Sequence, residues 1–326
     1  MHRSRLLTLL AALAALVLVL TGCAEDDADE VADEPEEDDA PLELEDDDDD
    51  DVPELDDEEE AVDEDEEETV EEDDFDLDAA VAQYTSTLPD GWMAIGDPDD
   101  FAQALEVDGT VLIDVREEGE YEEGHIPGAV NIPIRELGDN LEAIPTDQPV
   151  LINCQAGWRA GIAVSALRMM GYDNAEGFAQ GPDEWEEAGY ELVTEFPEPE
   201  SFGEPDLPEP ELADEVGQWL TTLPEGFLAT GDPQAIAEAV DAGAAVVDLR
   251  GPEDFEEAHV EGAVNIPMRE LGDRIDEVPT DVDVVFHCQS GWRCALAMPV
   301  LGVHGYTNII GYPGHFDGLV EQGLTT

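Results

Sequence analysis

The sequence predicts an α/β fold with two domains of one type in tandem, each a central parallel sheet flanked by helices. The hexapeptide Cys154-Gln-Ala-Gly-Trp-Arg159 returns as Cys288-Gln-Ser-Gly-Trp-Arg293, an offset of 134 residues. At that offset, residues 111–189 align with residues 245–323 without a gap. In each copy a short apolar run, a loop and a helical pattern follow one another, which favours a parallel sheet. A chain of 326 residues has room for about two such domains.

The elements are predicted in the same order in both copies. A Thr-Leu-Pro turn at 87–91 and again at 222–226 precedes a helix that starts after Asp-Pro, a common helix start. Two short apolar strands follow, and the second leads directly into the loop cysteine. A helix of apolar periodicity closes the set. The expected elements are 99–105, 111–114, 149–153 and 159–170 in the first copy, and 234–242, 245–248, 283–287 and 293–303 in the second.

Residues 1–22 are predicted to be a lipoprotein signal peptide. The chain begins with positive charge and continues with an apolar run over 6–20, which is short for a membrane span. The following Leu20-Thr21-Gly22-Cys23 resembles a bacterial-type lipobox. That resemblance implies that Cys23 is lipidated and that the protein is extracytoplasmic, anchored to the cell membrane by lipid. An ordinary signal peptide or an uncleaved anchor is the alternative.

An acidic segment separates the signal from the folded part. Residues 24–78 hold 37 of the 87 acidic residues of the chain and no basic residue. Such a segment buries too little apolar surface to fold, so residues 23–78 are expected to be a lipidated cysteine and a disordered linker. A metal-binding or partner-binding role is the alternative. The domains are then 79–194 and 212–326, joined by a Pro/Glu-rich linker at 195–211.

Charge and cysteine content exclude several classes of protein. Beyond the acidic segment and the signal, 50 acidic residues face eight arginines and no lysine, a formal charge of about −42. Nucleic acid is therefore not an expected partner. A lysine-free acidic surface is typical of adaptation to high salt, with general acidic bias as the alternative. The four cysteines form no CxxC pair, so neither a disulfide framework nor a metal site is predicted, and no cofactor is expected.

The two cysteine loops are the predicted chemical sites. Each cysteine follows a buried strand and faces loop amides and a helix N-terminus, which favour a thiolate of lowered pKa. Gly157 and Gly291 permit the turn that aims these amides inward. The same cradle suits a persulfide or an oxyanion. A small buried apolar cysteine is the alternative for each.

Further short motifs recur around the loops. The second domain differs from the first at Ala258, Glu261, Gly251-Pro252 and Leu319, so its pocket is expected to differ although its loop is intact. Domain 1 contains Asp114-Val-Arg-Glu117, Glu120-Tyr121, Gly124-His-Ile-Pro-Gly-Ala129, Asn131-Ile-Pro133, Cys154-x-x-Gly-x-Arg159, Gly171-Tyr172 and Trp185-x-x-Ala-Gly189. Domain 2 contains Asp248-Leu-Arg250, His259, Gly262-Ala263, Asn265-Ile-Pro267 and Cys288-x-x-Gly-x-Arg293. With these motifs nearly all of residues 79–326 resembles the rhodanese (sulfurtransferase) family.

The resemblance implies sulfur transfer by double displacement. Cys154 and Cys288 would take sulfur from thiosulfate or a similar donor as a persulfide and pass it to a thiol or to cyanide. Related folds with a C-x5-R loop are phosphatases, whereas the C-x4-R spacing here suits a sulfur-sized guest. Both domains are expected to be competent, and domain 1 is favoured if only one is. The expected loop and substrate-binding residues are Gln155, Ala156, Gly157, Trp158, Arg159, Gln289, Ser290, Gly291, Trp292, Arg293, Arg116 and Arg250.

Several roles stay open at this point. Arg159 and Arg293 either bind an anionic donor or pair with a carboxylate, and Arg116 and Arg250 either line the pocket or brace the fold. Trp158 and Trp292 are expected to shape the entrance. Cys294, which has Ala160 as its counterpart, either resolves an oxidised or persulfidated Cys288 or is a small helix residue.

Two functions of other classes compete with sulfur transfer. One is a non-enzymatic module that binds sulfur species or a protein at the cell surface. The other is a thiol-redox protein that uses Cys288 and Cys294.

Overall fold

The computed structural model describes residues 75–197 and 200–326. The predicted signal peptide, Cys23 and the acidic segment up to residue 74 lie outside the described residues. Within the described ranges no helix has the length and apolarity needed to cross a membrane. The two repeats together belong to one compact unit.

Domain 1 has a five-stranded sheet in which every pairing is parallel, in the order β1-β5-β4-β2-β3. A 310 segment, Ile134–Ala143, connects β3 to β4. The elements are α1 (Leu77–Ser86), β1 (Ala94–Ile95), α2 (Pro98–Leu105), β2 (Val111–Asp114), α3 (Glu118–Glu122), β3 (Val130–Asn131), β4 (Val150–Asn153), α4 (Trp158–Met169), β5 (Ala175–Phe178) and α5 (Pro182–Glu187).

Domain 2 repeats the plan with four strands, all parallel, in the order β7-β6-β8-β9. A single bridge from Ala229 to Gly311 stands where domain 1 has the pairing of β1 with β5. Short 310 helices at Met268–Glu270 and Ile275–Glu277 match the 310 segment of domain 1. The elements are α6 (Pro210–Thr221), α7 (Pro233–Asp241), β6 (Ala245–Asp248), α8 (Pro252–Glu257), β7 (Val264–Asn265), β8 (Val284–His287), α9 (Trp292–Val303), β9 (Ile309–Gly311) and α10 (Phe316–Glu321).

The predicted fold class is confirmed. The two Asp-Pro sequences explain where helices α2 and α7 begin. The Asp97 carboxylate accepts the N–H groups of Asp99 and Asp100, and Asp232 accepts that of Gln234. These carboxylates satisfy amides that have no partner within the helix, while the proline takes the first helical position. Helices α1 and α6 begin at residues 77 and 210, each two residues before the domain boundary drawn from the sequence.

Each domain places its first helix on the other domain. Helix α6 lies against the 310 segment of domain 1, where a Cβ on Gly138 would be 2.7 Å from the Cα of Gly217. Helix α1 approaches domain 2 in the same way, since a Cβ on Gly272 would be 2.6 Å from the Cα of Ala82. The Gly272 N–H also donates to Thr85 Oγ1 at 3.3 Å. The exchange is reciprocal, as expected for an interface between two copies of one unit.

The helices that follow the two cysteine loops pack against each other at the centre. A Cβ on Gly161 of α4 would be 2.7 Å from the Cβ of Ala295 in α9. The Ser165 hydroxyl donates to the carbonyl of Leu296 at 2.7 Å. Buried side chains of both domains form one continuous apolar core around this contact. The two loops are therefore held in a fixed relation to each other.

Candidate functional site

Each loop cysteine lies at the carboxyl end of a central strand. Cys154 follows β4 and Cys288 follows β8, and a glycine precedes the next helix in both loops. Gly157 and Gly291 have φ angles of +82° and +85°. A Cβ on Gly157 would also collide with the carbonyl oxygen of Ala179. Only glycine satisfies both demands, so the predicted turn is confirmed.

The environment of Cys288 favours the thiolate. The side chain is 1% exposed, and the N–H of Gly291 donates to its Sγ at 3.2 Å. Burial opposes ionisation, but a hydrogen bond from the Cys294 thiol, the charge of Arg293 and the N–H groups of Ser290 and Cys294 outweigh it. Together they lower the pKa of Cys288 to about 6, so most of this cysteine is thiolate at neutral pH.

Cys154 behaves differently, and the prediction that both loops lower the cysteine pKa is wrong for domain 1. Burial is the largest influence here as well. The N–H groups of Ala160 and Ala156 and the charge of Arg159 act against it without cancelling it. Burial therefore raises the pKa of Cys154. Alanine stands at position 160, so this loop has no thiol at the position of Cys294.

The two loop arginines also differ in their partners. Arg159 donates from Nη1 and Nη2 to both carboxylate oxygens of Glu120, at 2.6 Å each. The hydrogen bonds from Arg159 hold the pKa of Glu120 below its usual range. Of the two roles left open for Arg159, the structure shows the carboxylate pair. Arg293 has no carboxylate within 4.0 Å among the described residues, and its Nη1 lies 3.5 Å from the carbonyl oxygen of Leu249.

Arg116 and Arg250 brace the strand ends beneath the loops. Both are 3% exposed, and each donates to the aspartate two residues earlier, Asp114 or Asp248. Their other donors reach main-chain carbonyls, as when Arg116 Nη2 donates to Gly124 O at 2.8 Å. The structure therefore places these two arginines in buried ion pairs, which matches the bracing role considered above.

The remaining loop residues hold the loops in place or face a cavity. Gln155 Oε1 accepts from Arg116 Nη1 at 3.5 Å, a long hydrogen bond, and Gln155 and Ala156 both line the cavity next to Cys154. The carbonyl of Gln289 accepts the N–H of Phe316 at 3.0 Å, which attaches the second loop to α10.

A turn from the other domain covers each loop arginine. The Phe227 ring lies with its centroid 5.1 Å from the guanidinium carbon of Arg159, and the Trp92 ring lies 5.4 Å from that of Arg293. Phe227 and Trp92 have φ angles of +52° and +54°, a conformation that costs about 1–2 kcal/mol in a residue with a Cβ. The residues that follow each of them are also left-handed. Backbone strain of this kind persists only where the surroundings impose it.

A second pair of arginines secures these turns. Arg135 Nε donates to the carbonyl of Leu223 at 2.8 Å, and Arg269 Nε donates to that of Leu88 at 2.8 Å. Sequence reasoning missed the covering aromatics and this second arginine pair. The repeated Thr-Leu-Pro turn, which directly precedes Trp92 in one copy and its counterpart in the other, was the signal that marked them.

The loop tryptophans cross into the opposite domain. The indole N–H of Trp158 donates to the Phe227 carbonyl at 2.9 Å, and that of Trp292 donates to the Trp92 carbonyl at 2.7 Å. Each indole packs directly against a glycine of the opposite domain. A Cβ on Gly177, for example, would be 2.6 Å from Trp292 Cη2. The tryptophans thus fix the covering turns, and Trp158 also lines the cavity at Cys154.

A cavity of about 850 Å3 opens beside Cys154. Domain 1 contributes the loop together with Glu117, Glu120, Arg135 and Arg159 to its lining. Domain 2 contributes the turn that carries Glu225 and Phe227, and also Pro313. The site of domain 1 is therefore incomplete without domain 2.

The fold and the site define a tandem α/β protein with a buried cysteine loop at the sheet edge of each domain. Two segments, residues 97–188 and 232–322, match the family described as Rhodanese-like domain. The two matches cover more than half of the chain. The chain belongs to the rhodanese-like family.

Three similar proteins match the chain over segments of fewer than 100 residues. The chain is 43% identical over 74 residues to the uncharacterized protein YqhL of Bacillus subtilis, 23% of this chain and 59% of that protein. It is 38% identical over 65 residues to the thiosulfate sulfurtransferase PspE of Escherichia coli, 19% of this chain and 62% of that protein. With the thiosulfate sulfurtransferase GlpE of Pseudomonas fluorescens the identity is 31% over 88 residues, 27% of this chain and 81% of that protein. The chain spans less than two thirds of the first two relatives.

Solved structures of related proteins also match. A rhodanese-related protein of Thermoplasma volcanium is 30% identical, with 30% of this chain and 96% of that chain covered and a TM-score of 0.28. The 3-mercaptopyruvate sulfotransferase SseA of Escherichia coli is 21% identical, with 69% of this chain and 98% of that chain covered and a TM-score of 0.35.

Proposed function

We propose that this protein is a sulfurtransferase that moves sulfane sulfur from thiosulfate or a similar donor to a thiol or cyanide acceptor. The observation that carries the proposal is Cys288, a buried cysteine of pKa about 6 at the end of a parallel strand. Its Sγ accepts a loop N–H, and Arg293 stands five residues further along the chain. Two of the similar proteins are named as thiosulfate sulfurtransferases, which supports the same reaction type.

The reaction needs a nucleophilic sulfur and hydrogen-bond donors that stabilise the negative charge on the sulfur atoms. The Cys288 thiolate attacks the outer sulfur of thiosulfate, a new S–S bond forms, and sulfite leaves with the electron pair of the broken S–S bond. In the structure the N–H of Gly291 donates to Cys288 Sγ, and this loop N–H is placed to stabilise the anionic persulfide as well. An acceptor thiolate then attacks the outer sulfur, and Cys288 is released as thiolate. Cys154 lies in the same local frame and is proposed to carry the same chemistry.

Mass spectrometry of the intact protein tests the proposal. After incubation with thiosulfate, an added mass of about 32 Da per sulfur should be present on a loop cysteine and disappear with cyanide as thiocyanate forms. The double variant Cys154→Ser/Cys288→Ser should lose both signals, and each single variant serves as the control for the other. Thiocyanate formation at the full rate by the double variant would refute the assignment.

We also infer that the protein is exported and held at the cell membrane through a lipid on Cys23. The support is the charged start, the apolar run and the Leu20-Thr21-Gly22-Cys23 sequence. All of these residues lie outside the described part of the chain.

A further inference from the structure

The two loops share a sequence pattern but differ in whether the loop arginine is paired with a carboxylate. In domain 1 both guanidinium groups near the cavity are paired with carboxylates, Arg159 with Glu120 and Arg135 with Glu117 at 2.5 Å. A third carboxylate, Glu225, lines the same cavity. An anion that enters here meets neutralised arginines and has to displace a bidentate carboxylate.

Domain 2 lacks the partner of its loop arginine, although Asp90, the counterpart of Glu225, is present and pairs with Arg269. The offset of 134 residues places Gly251 where domain 1 has Glu117, and Asp254 where it has Glu120. Asp254 is exposed and its side chain is one methylene shorter. No ion pair joins Asp254 to Arg293 in the described structure, and the Asp248 carboxylate beneath the loop is paired with Arg250. The guanidinium of Arg293, which is partly exposed, thus has no carboxylate partner among the described residues.

The two cysteines differ as well, and the difference again favours domain 2 for reaction with an anion. Cys288 has the N–H of Gly291 on its sulfur and Cys294 beside it. Cys154 has alanine at the position that corresponds to Cys294. Burial keeps the pKa of Cys154 raised, whereas that of Cys288 is low. Domain 2 therefore combines a cysteine of low pKa with an arginine that has no carboxylate partner among the described residues. In domain 1 the cysteine pKa is raised and the arginine is paired.

We propose that the two loops divide the reaction by the charge of the donor: the Cys288 loop takes sulfur from anionic donors, with Arg293 as the anion-binding residue, whereas Glu120 closes the Cys154 loop to them. This inference rests on the proposed function. It also reverses the sequence-based preference for domain 1 as the active domain. Thiosulfate loses its outer sulfur to the Cys288 thiolate, and sulfite departs with the bonding electron pair past Arg293. The Cys154 loop is left for donors that carry no negative charge.

Peptide-level mass spectrometry of the unmutated protein tests the division directly. The protein is incubated briefly with sodium thiosulfate, which leaves a persulfide as sulfite departs, or with diallyl trisulfide, an uncharged donor that leaves a mixed allyl disulfide or trisulfide as an allyl thiolate or perthiolate departs. The adduct is then located on Cys154 or Cys288. Thiosulfate should label Cys288 at least tenfold faster than Cys154, and the uncharged donor should reduce that ratio. Equal labelling by thiosulfate, or preference for Cys154, would overturn the inference and leave the proposed function standing. No persulfide from thiosulfate, together with no adduct from the trisulfide, would overturn both.

A matched pair of variants then tests the role of Glu120. In a Cys288→Ser background, Glu120→Gln removes the charge but keeps an acceptor for the Glu117 N–H, which now donates to Glu120 Oε2 at 3.0 Å. Release of Arg159 should lower KM for thiosulfate about tenfold, the low end for one charge-assisted hydrogen bond, with little change for the uncharged donor. The counterpart Asp254→Asn in a Cys154→Ser background should change neither. An unchanged KM in the first variant, with its circular dichroism spectrum preserved, would show that the carboxylate pair does not exclude anions.

Discussion

The low pKa of Cys288 leads to a quantitative prediction about its thiolate. With a pKa of about 6, the thiolate fraction is about 50% at pH 6, about 90% at pH 7 and about 10% at pH 5. The Cys294 thiol is one of the donors that lower this pKa. A hydrogen bond to a charged acceptor contributes about 1.5 kcal/mol, which corresponds to roughly one pH unit. Cys294→Ala should therefore move the midpoint to about 7 and slow alkylation of Cys288 at pH 6 about fivefold.

The assay is the rate of iodoacetamide alkylation at each cysteine between pH 5 and pH 9, followed by peptide mass spectrometry. Because a group of lowered pKa is ionised above that pKa, the Cys288 rate should stay high above about pH 7 and fall with a midpoint near pH 6, whereas Cys154 should become reactive only in alkaline solution. Cys294→Ser, which keeps a hydroxyl donor, should retain the low midpoint. Ala160→Cys supplies the matched gain, since it should lower the midpoint of Cys154. Overlapping profiles of the wild type and Cys294→Ala would refute the reasoning.

Three further predictions concern stability, salt and anchoring. Trp292→Ala removes the indole that packs against domain 1 and should lower the free energy of unfolding by about 3–5 kcal/mol, which lowers Tm by roughly 6–20 °C in calorimetry. Trp292→Phe should lower it by only about 1 kcal/mol, for the lost hydrogen bond to the Trp92 carbonyl. Two separate transitions in the wild type would contradict a shared core. The folded part carries a charge of about −42, and the Debye length falls from about 30 Å at 0.01 M to about 3 Å at 1 M salt. Tm should therefore rise with KCl concentration. A Tm that is highest in dilute buffer would exclude adaptation to salt. Cys23→Ser should release the protein from the membrane fraction or block its processing, and unchanged lipid labelling would contradict lipidation.

The position of the site was predictable because it depends on local sequence. A short apolar run that ends at a cysteine, a glycine three residues later and a helical pattern place the sulfur at a strand end without any knowledge of distant residues. The internal repeat strengthened this prediction, since the same pattern occurs at Cys154 and Cys288. The short strands β1, β3, β7 and β9 carry too few residues for a periodic signal, and only their pairing in the sheet identifies them.

The chemistry of each loop was not predictable from the same local pattern. Whether an arginine binds a donor or a carboxylate depends on which groups the fold brings to it, and Glu120 reaches Arg159 from 39 residues away. The aromatic ring over Arg159 comes from the other domain. The ionisation of a buried cysteine is a small difference between burial and a few hydrogen bonds, so a side chain such as Cys294, which stands where domain 1 has Ala160, adds to the difference between the two loops.

The sequence by itself therefore determined the two α/β domains, the family they resemble and the two cysteine loops, because backbone conformation follows local pattern and spacing. The tertiary structure alone decided that the two domains share a core and cover each other's loops. It also decided that Arg159 is paired with a carboxylate, whereas Arg293 has no such partner within the part of the chain that the structure describes. These features depend on contacts between segments far apart in the chain, where burial and the nearest opposite charge set the free energy of each ionisable group.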